Sequence, residues 1–103
     1  MYVYILDEKN FEKIISENKV VIVGVYEENC LISMLFKAMI SQLQKNVHQD
    51  ILFCLIEKHA YKKVDHGGNQ DISPQIILFK DTKKIKVIEG FQKYQKVCEQ
   101  LAI

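Results

Sequence analysis

Apolar positions along this chain follow two rhythms, and the change from one to the other marks out the elements. Val20 to Tyr26 and Ile51 to Ile56 are short, almost unbroken apolar runs rich in β-branched residues. Such runs mark strands covered on both faces, which places them centrally in a sheet with helices above and below. Tyr2 to Leu6 reads as a shorter first strand. Between the first two strands, Phe11, Ile14 and Ile15 fall at i, i+3 and i+4, a helical spacing that Asp7 or Asn10 can cap and Asn18-Lys19 ends. From Cys30 to about Val47 the spacing is helical again. Leu31, Leu35, Met39 and Leu43 form one stripe, widened by Ile32, Phe36 and Ile40, which predicts a well-buried helix.

The second half is more punctuated. His59 to His66 predicts a short helix stopped by Gly67-Gly68-Asn69, and the single proline, Pro74, follows. Gln75 to Lys80 and Lys84 to Glu89 predict an antiparallel hairpin turning at Asp81-Thr82-Lys83, with Gly90 closing it. Tyr94, Val97, Cys98 and Leu101 predict a last amphipathic helix. The order is therefore βαβαβαββα. Alternating βαβ units followed by a hairpin imply an α/β fold, with a mixed central sheet and helices on both faces. No linker, repeat or low-complexity segment interrupts residues 1–103, which are expected to form one domain.

Composition narrows the function classes. Fourteen lysines face 13 acidic residues and arginine is absent, so neither a net field nor a bidentate guanidinium favours nucleic acid. The apolar runs fall well short of the roughly 20 residues that span a bilayer, and the N-terminus lacks a basic, cleavable leader pattern. No membrane association is expected, and the default compartment is the cytosol. Cysteines at 30, 54 and 98 form no framework of paired spacings, so reduced thiols are expected. Cys54, within an apolar strand, and Cys98, on a helical stripe, read as structural. His59 and His66 read as surface residues, and neither a metal site nor a cofactor is expected. Lys80, Lys83, Lys84 and Lys86 read as guards of a hairpin edge.

Cys30 is different. It opens a helix directly after a buried-type strand, where unpaired backbone N–H groups favour a thiolate, although Glu27 and Glu28 oppose it by like charge. Strand, then Cys30-Leu31-Ile32-Ser33 opening a long helix, then Pro74 before a ββα ending: the chain resembles the thioredoxin family over almost its whole length. Cys30, Pro74 and Gly90 stand at the family's mutual intervals, and Ile76-Ile77-Leu78-Phe79-Lys80-Asp81 is similar to its strand after a cis-proline.

The resemblance implies a thioredoxin fold and thiol–disulfide chemistry at Cys30. It assigns Ser33 to the place of the second redox cysteine, and Asn29, Leu31, Ser73 and Pro74 to the surface that holds an extended peptide by strand addition. The departures are coherent. Ser33 replaces the second thiol, Gly24 the buried acid thought to serve as its proton acceptor, Leu55 the neighbouring lysine, Asn29 the tryptophan, and Ala38 a helix-kinking proline. Three readings follow. In the first, Cys30 is a monothiol forming mixed disulfides with protein or low-molecular-weight thiols, with Ser33 donating a hydrogen bond to its thiolate. In the second, Cys30 is idle and the fold is a binding module that uses the proline groove, or the lysine hairpin, without thiol chemistry. In the third, the weakest, Cys54 or Cys98 supplies the missing sulfur.

Overall fold

The structure, a computed structural model, describes residues 3–47, 50–65 and 73–103. Five strands form one sheet in the order β1-β3-β2-β4-β5: β1 Tyr4–Leu6, β2 Val20–Tyr26, β3 Leu52–Glu57, β4 Gln75–Lys80 and β5 Lys83–Glu89. β1, β3 and β2 run parallel, whereas β4 is antiparallel to β2 and β5 to β4. The helices are α1 Phe11–Glu17, α2 Leu31–Asn46, α3 Lys58–Val64 and α4 Tyr94–Leu101.

The two-residue period of β2 divides the core. Val21, Val23 and Val25 point to one face, where they meet Phe11 and Ile15 of α1, Tyr61 of α3, Cys54, Ile56, Ile77 and Phe79. Ile22 and Tyr26 point to the other, where they meet Phe36, Met39, Ile40 and Leu43 of α2, Val97 and Leu101 of α4, Phe53, Leu55, Ile76 and Ile88. β2 is thus covered on both sides, as its unbroken apolar run predicts. Gly24 belongs to the α2 side: a Cβ there would lie 2.9 Å from Phe36 Cε2 and 3.1 Å from both Ile40 Cγ1 and Leu55 Cδ2.

Several boundaries differ from the sequence reading, each for a local reason. The hairpin turn has two residues, Asp81 and Thr82, both at positive φ (51° and 69°), and Lys83 has joined β5. Left-handed pairs of this kind match the twist of the flanking strands. Before α1, Asp7 and Asn10 act together. The Asp7 carboxylate accepts from the N–H groups of Lys9 and Asn10, while Asn10 Oδ1 accepts from Asp7 N–H, so the turn is closed reciprocally. α3 starts at Lys58 because the Glu57 carboxylate accepts the His59 N–H at 2.9 Å. The expected helix end at His66 and the Gly67-Gly68-Asn69 stop lie outside the described residues. At the far side of α3, Asp65 accepts from the Tyr61 hydroxyl and pairs with Lys84 of β5, so one lysine of the hairpin braces the fold.

The largest departure concerns α2. Its stripe was expected to be well buried, yet Leu31 is 73% exposed and Met34 68%, with Ile32 and Leu35 also exposed; only from Phe36 onward is the apolar face covered. The helix begins beyond the C-terminal end of β2, so its first turns overhang the sheet. Periodicity shows which side of a helix is apolar but not where the sheet beneath it stops. Where Ala38 replaces the kinking proline, α2 runs unbroken for 16 residues.

Candidate functional site

β2 ends at Tyr26, and the loop Glu27–Asn29 turns into α2 through Asn29, whose φ of 58° suits asparagine better than most residues. Cys30 is the N-cap residue of α2, extended in backbone and partly exposed; its carbonyl accepts the first helical bond, from Met34 N–H at 3.2 Å. Ser33, one turn in, is 4% exposed, and its hydroxyl accepts the Glu27 N–H at 3.0 Å. That bond fastens the helix start to the strand end, so Ser33 fixes the loop that presents Cys30. Among the described residues nothing accepts the Ser33 proton, the Cys30 sulfur included.

A pocket of about 350 Å³ opens beside the sulfur, lined by Glu27, Glu28, Asn29, Cys30, Leu31, Ser33, Met34 and Lys37. The structure thus brings Asn29, Cys30, Leu31 and Ser33 together. Ser73 and Pro74 do not line this pocket. They lie at the same end of the sheet, since Gln75 pairs with Val25 near the end of β2. The Ser73–Pro74 peptide is cis, Pro74 is buried, and its carbonyl accepts the Gly90 N–H at 2.8 Å.

The charges around the pocket are largely arranged in pairs. Glu27 Oε1 meets the Lys58 ammonium at 3.2 Å, and that ammonium is mostly shielded from solvent. Lys37 Nζ lies 3.9 Å from the centroid of the Tyr26 ring, within cation–π range. Burial, then the Glu28 charge and hydrogen bond, then Glu57 push the Tyr26 phenol above its usual range, so it stays a neutral donor to Glu28. Burial alone would raise the Glu57 carboxyl, but hydrogen bonds from the His59 backbone and ring outweigh it and hold the group below its ordinary value. Met34 and Lys37 went unnoticed in the sequence, although their positions at i+4 and i+7 from Cys30 put them on its helix face. Lys58 carried no comparable signal, because only the parallel pairing of β3 with β2 brings it beside Glu27.

The other thiols are placed elsewhere. Cys54 is fully buried on the α1/α3 side of the sheet, and burial pushes its thiol up to about 12. Cys98 is partly buried against the α2/α4 core and does not line the pocket. All three cysteines are free. Among the described residues there is no cluster of three metal-ligating side chains, and no helix is long and apolar enough to cross a membrane.

The Thioredoxin family model matches residues 2–102, and the chain belongs to the thioredoxin family of thiol–disulfide redox proteins. No curated protein matches its sequence. Solved structures match its fold. An oxidised thioredoxin from Plasmodium falciparum is 20% identical, with 98% of this chain and 99% of that one covered and a TM-score of 0.81. A mutant thioredoxin from Halobacterium salinarum is 16% identical, with 95% and 85% covered and a TM-score of 0.78. A chain from the complex of ferredoxin:thioredoxin reductase with thioredoxin f2 is 22% identical, with 98% and 93% covered and a TM-score of 0.80.

Proposed function

We propose that this chain works as a monothiol member of its family, forming mixed disulfides through Cys30 with protein or low-molecular-weight thiols in a reducing compartment such as the cytosol. The observation that carries this is the pairing at the start of α2. A partly exposed thiol sits at the N-cap, and the residue one turn on is a buried serine whose oxygen is engaged by Glu27 N–H. The Cys30 thiolate attacks one sulfur of a disulfide; a Cys30–S bond forms, the original S–S bond breaks, and the other half leaves as a thiolate that takes a proton from water. Ser33 carries a proton it can donate to sulfur but has no thiol with which to resolve the adduct. Release therefore requires an external thiol to attack and take the partner away. The backbone beside Ser73 and Pro74 holds an extended peptide next to this end of the sheet, with Asn29 and Leu31 as the chain neighbours of the sulfur-bearing residue.

Cys54 and Cys98 do not supply the missing sulfur on this reading. The sheet separates Cys54 from the α2 side, and a thiol raised to about 12 is almost entirely protonated at neutral pH. The test is incubation with a neutral disulfide, hydroxyethyl disulfide, followed by intact-mass and peptide analysis. One adduct on Cys30, lost in Cys30→Ser and removed by added thiol, is expected, together with no insulin reduction beyond that of the added thiol. An unmodified Cys30, an adduct on another cysteine, or catalytic insulin reduction would overturn the proposal. A second reading, a binding module without thiol chemistry, draws on the exposed apolar turn of Leu31, Met34 and Leu35. It predicts partner capture that survives Cys30→Ser.

A further inference from the structure

β5 is the longer free edge of the sheet. It has β4 on one side and, among the described residues, no strand on the other, whereas the opposite edge, β1, has only three residues. Which of its backbone groups face outward follows from one bond. The Gly90 N–H donates to the Pro74 carbonyl at 2.8 Å, and opposed residues of an antiparallel pair alternate between bonded and unbonded. Ile88 opposite Ile76 and Lys86 opposite Leu78 are therefore bonded to β4, while Val87 and Glu89 turn their backbone groups to the free edge. The Gln92 side chain, donating to the Glu89 carbonyl at 3.2 Å, already uses one of these. The Val87 N–H and C=O and the Glu89 N–H have no partner among the described residues.

The two faces of this edge differ in chemistry. Val87, opposite Ile77, shares the α1/α3 side of the sheet and is 40% exposed. Ile85, at the irregularity where β5 has no residue opposite it, is 55% exposed. Lys86 is opposite Leu78, which packs on the α2/α4 core, and Lys83 is opposite Lys80, two residues on from Leu78, so these lysines project from the other face. Among the described residues, Lys84 is ion-paired, to Asp65 on the α1/α3 side, and Lys80, Lys83 and Lys86 are not. Asp81, in the turn, is the only acidic residue between Lys80 and Ile88. Lys19 and Asp50, which line a pocket with Lys80, offset each other. Lys80 and Lys83 oppose each other directly as like charges, an arrangement that costs stability and leaves the corner positive.

Lysines on an edge keep a second copy of the chain away, since two β5 strands pairing antiparallel about Lys86 would set like charges face to face. They do not keep out a strand of opposite charge. We propose that β5 takes, as a sixth strand, an extended segment of another protein in which acidic and apolar residues alternate. Its backbone exchanges hydrogen bonds with Val87 and Glu89. Because alternate residues of a strand face opposite ways, its apolar side chains lie beside Val87 and Ile85 while its carboxylates lie beside Lys86 and Lys83. β5 contributes no residue to the Cys30 pocket, so this docking is independent of the thiol reading above.

The test titrates the isotope-labelled protein at low salt with a blocked peptide of about eight residues, alternating glutamate and valine, followed by amide NMR. The Val87 and Glu89 amides should shift and, near saturation, exchange with solvent about fivefold more slowly, while Ile88, already bonded to β4, changes little. A peptide of the same composition in two blocks, and the alternating peptide N-methylated at its valines, should each bind about fivefold more weakly or worse. The double variant Lys83→Glu, Lys86→Glu should weaken the acidic peptide by about tenfold or more and bind an alternating lysine–valine peptide in its place. Cys30→Ser should bind as the parent does. Unchanged Val87 and Glu89 amides at about 1 mM peptide, or shifts centred on residues 29–34, overturn the proposal. So does equal binding of the block or N-methylated peptide, or a charge preference that survives the double variant; the peptide controls decide the matter even if that variant fails to fold.

Discussion

Adding a single methyl group at Gly24 should destabilise the protein, although glycine is ordinarily a poor residue in the middle of a strand. The Cβ of an alanine would stand 2.9 Å from Phe36 Cε2, closer than carbon atoms pack, and 3.1 Å from Ile40 Cγ1 and Leu55 Cδ2, tighter than most such contacts. Phe36 and Ile40 are fully buried and Leu55 nearly so, and all three are locked in one cluster, so none moves without displacing others. Overpacking of this kind costs about 1–3 kcal/mol. Alanine recovers about 0.4–1 kcal/mol by restricting the unfolded chain. At the centre of both ranges the net is a loss of about 1.3 kcal/mol, or about 5–10 °C in Tm for a domain of this size. Urea unfolding followed by circular dichroism reads it directly: the midpoint falls while the slope is unchanged. A Gly24→Ala protein as stable as the parent would refute the packing argument.

Gly24→Asp, which restores the family's acid, adds a buried carboxylate among Phe36, Ile40 and Leu55 with no polar partner. It should cost several kcal/mol more and leave the chain largely unfolded. The missing acid is therefore more than a vacancy in the sequence, because the α2 core occupies its space.

Three further outcomes are expected. Ser33→Ala leaves the Glu27 N–H without its acceptor and should lower stability by about 1–2 kcal/mol in urea unfolding; an unchanged midpoint would show that the bond does not anchor α2. Because burial raises Cys54 from 9.0 to about 12 in the folded state, unfolding releases a proton above about pH 9, and stability falls from there as pH rises towards 12, by up to about 1.4 kcal/mol per unit. Cys54→Ala should flatten that slope between about pH 9 and 10, before the tyrosines contribute, and an equally steep slope would remove the thiol as its cause. Thr82 is β-branched and held at φ 69°, so Thr82→Gly should raise stability by about 0.5–1 kcal/mol, and a lower Tm would contradict the strain.

The sequence by itself determined the order of elements, the two-sided burial of β2, the burial of Cys54, and the presence of one thiol at a helix start with a serine where a partner thiol would stand. These are legible because they depend on residue type and on spacing within one element: period 2 or 3.6, a cysteine after a strand, a proline before a hairpin. The tertiary structure decided the rest. That Leu31, Met34 and Leu35 are exposed depends on where the sheet ends beneath α2, and that Ser33 anchors Glu27 depends on how the loop folds back. That Lys58 neutralises Glu27 depends on two strands about 30 residues apart lying side by side. Charge pairing and coverage are relations between elements, and no periodicity within one element records them. The thiol at position 30 is visible in the chain; the lysine that neutralises Glu27 beside it arrives only once β3 lies alongside β2.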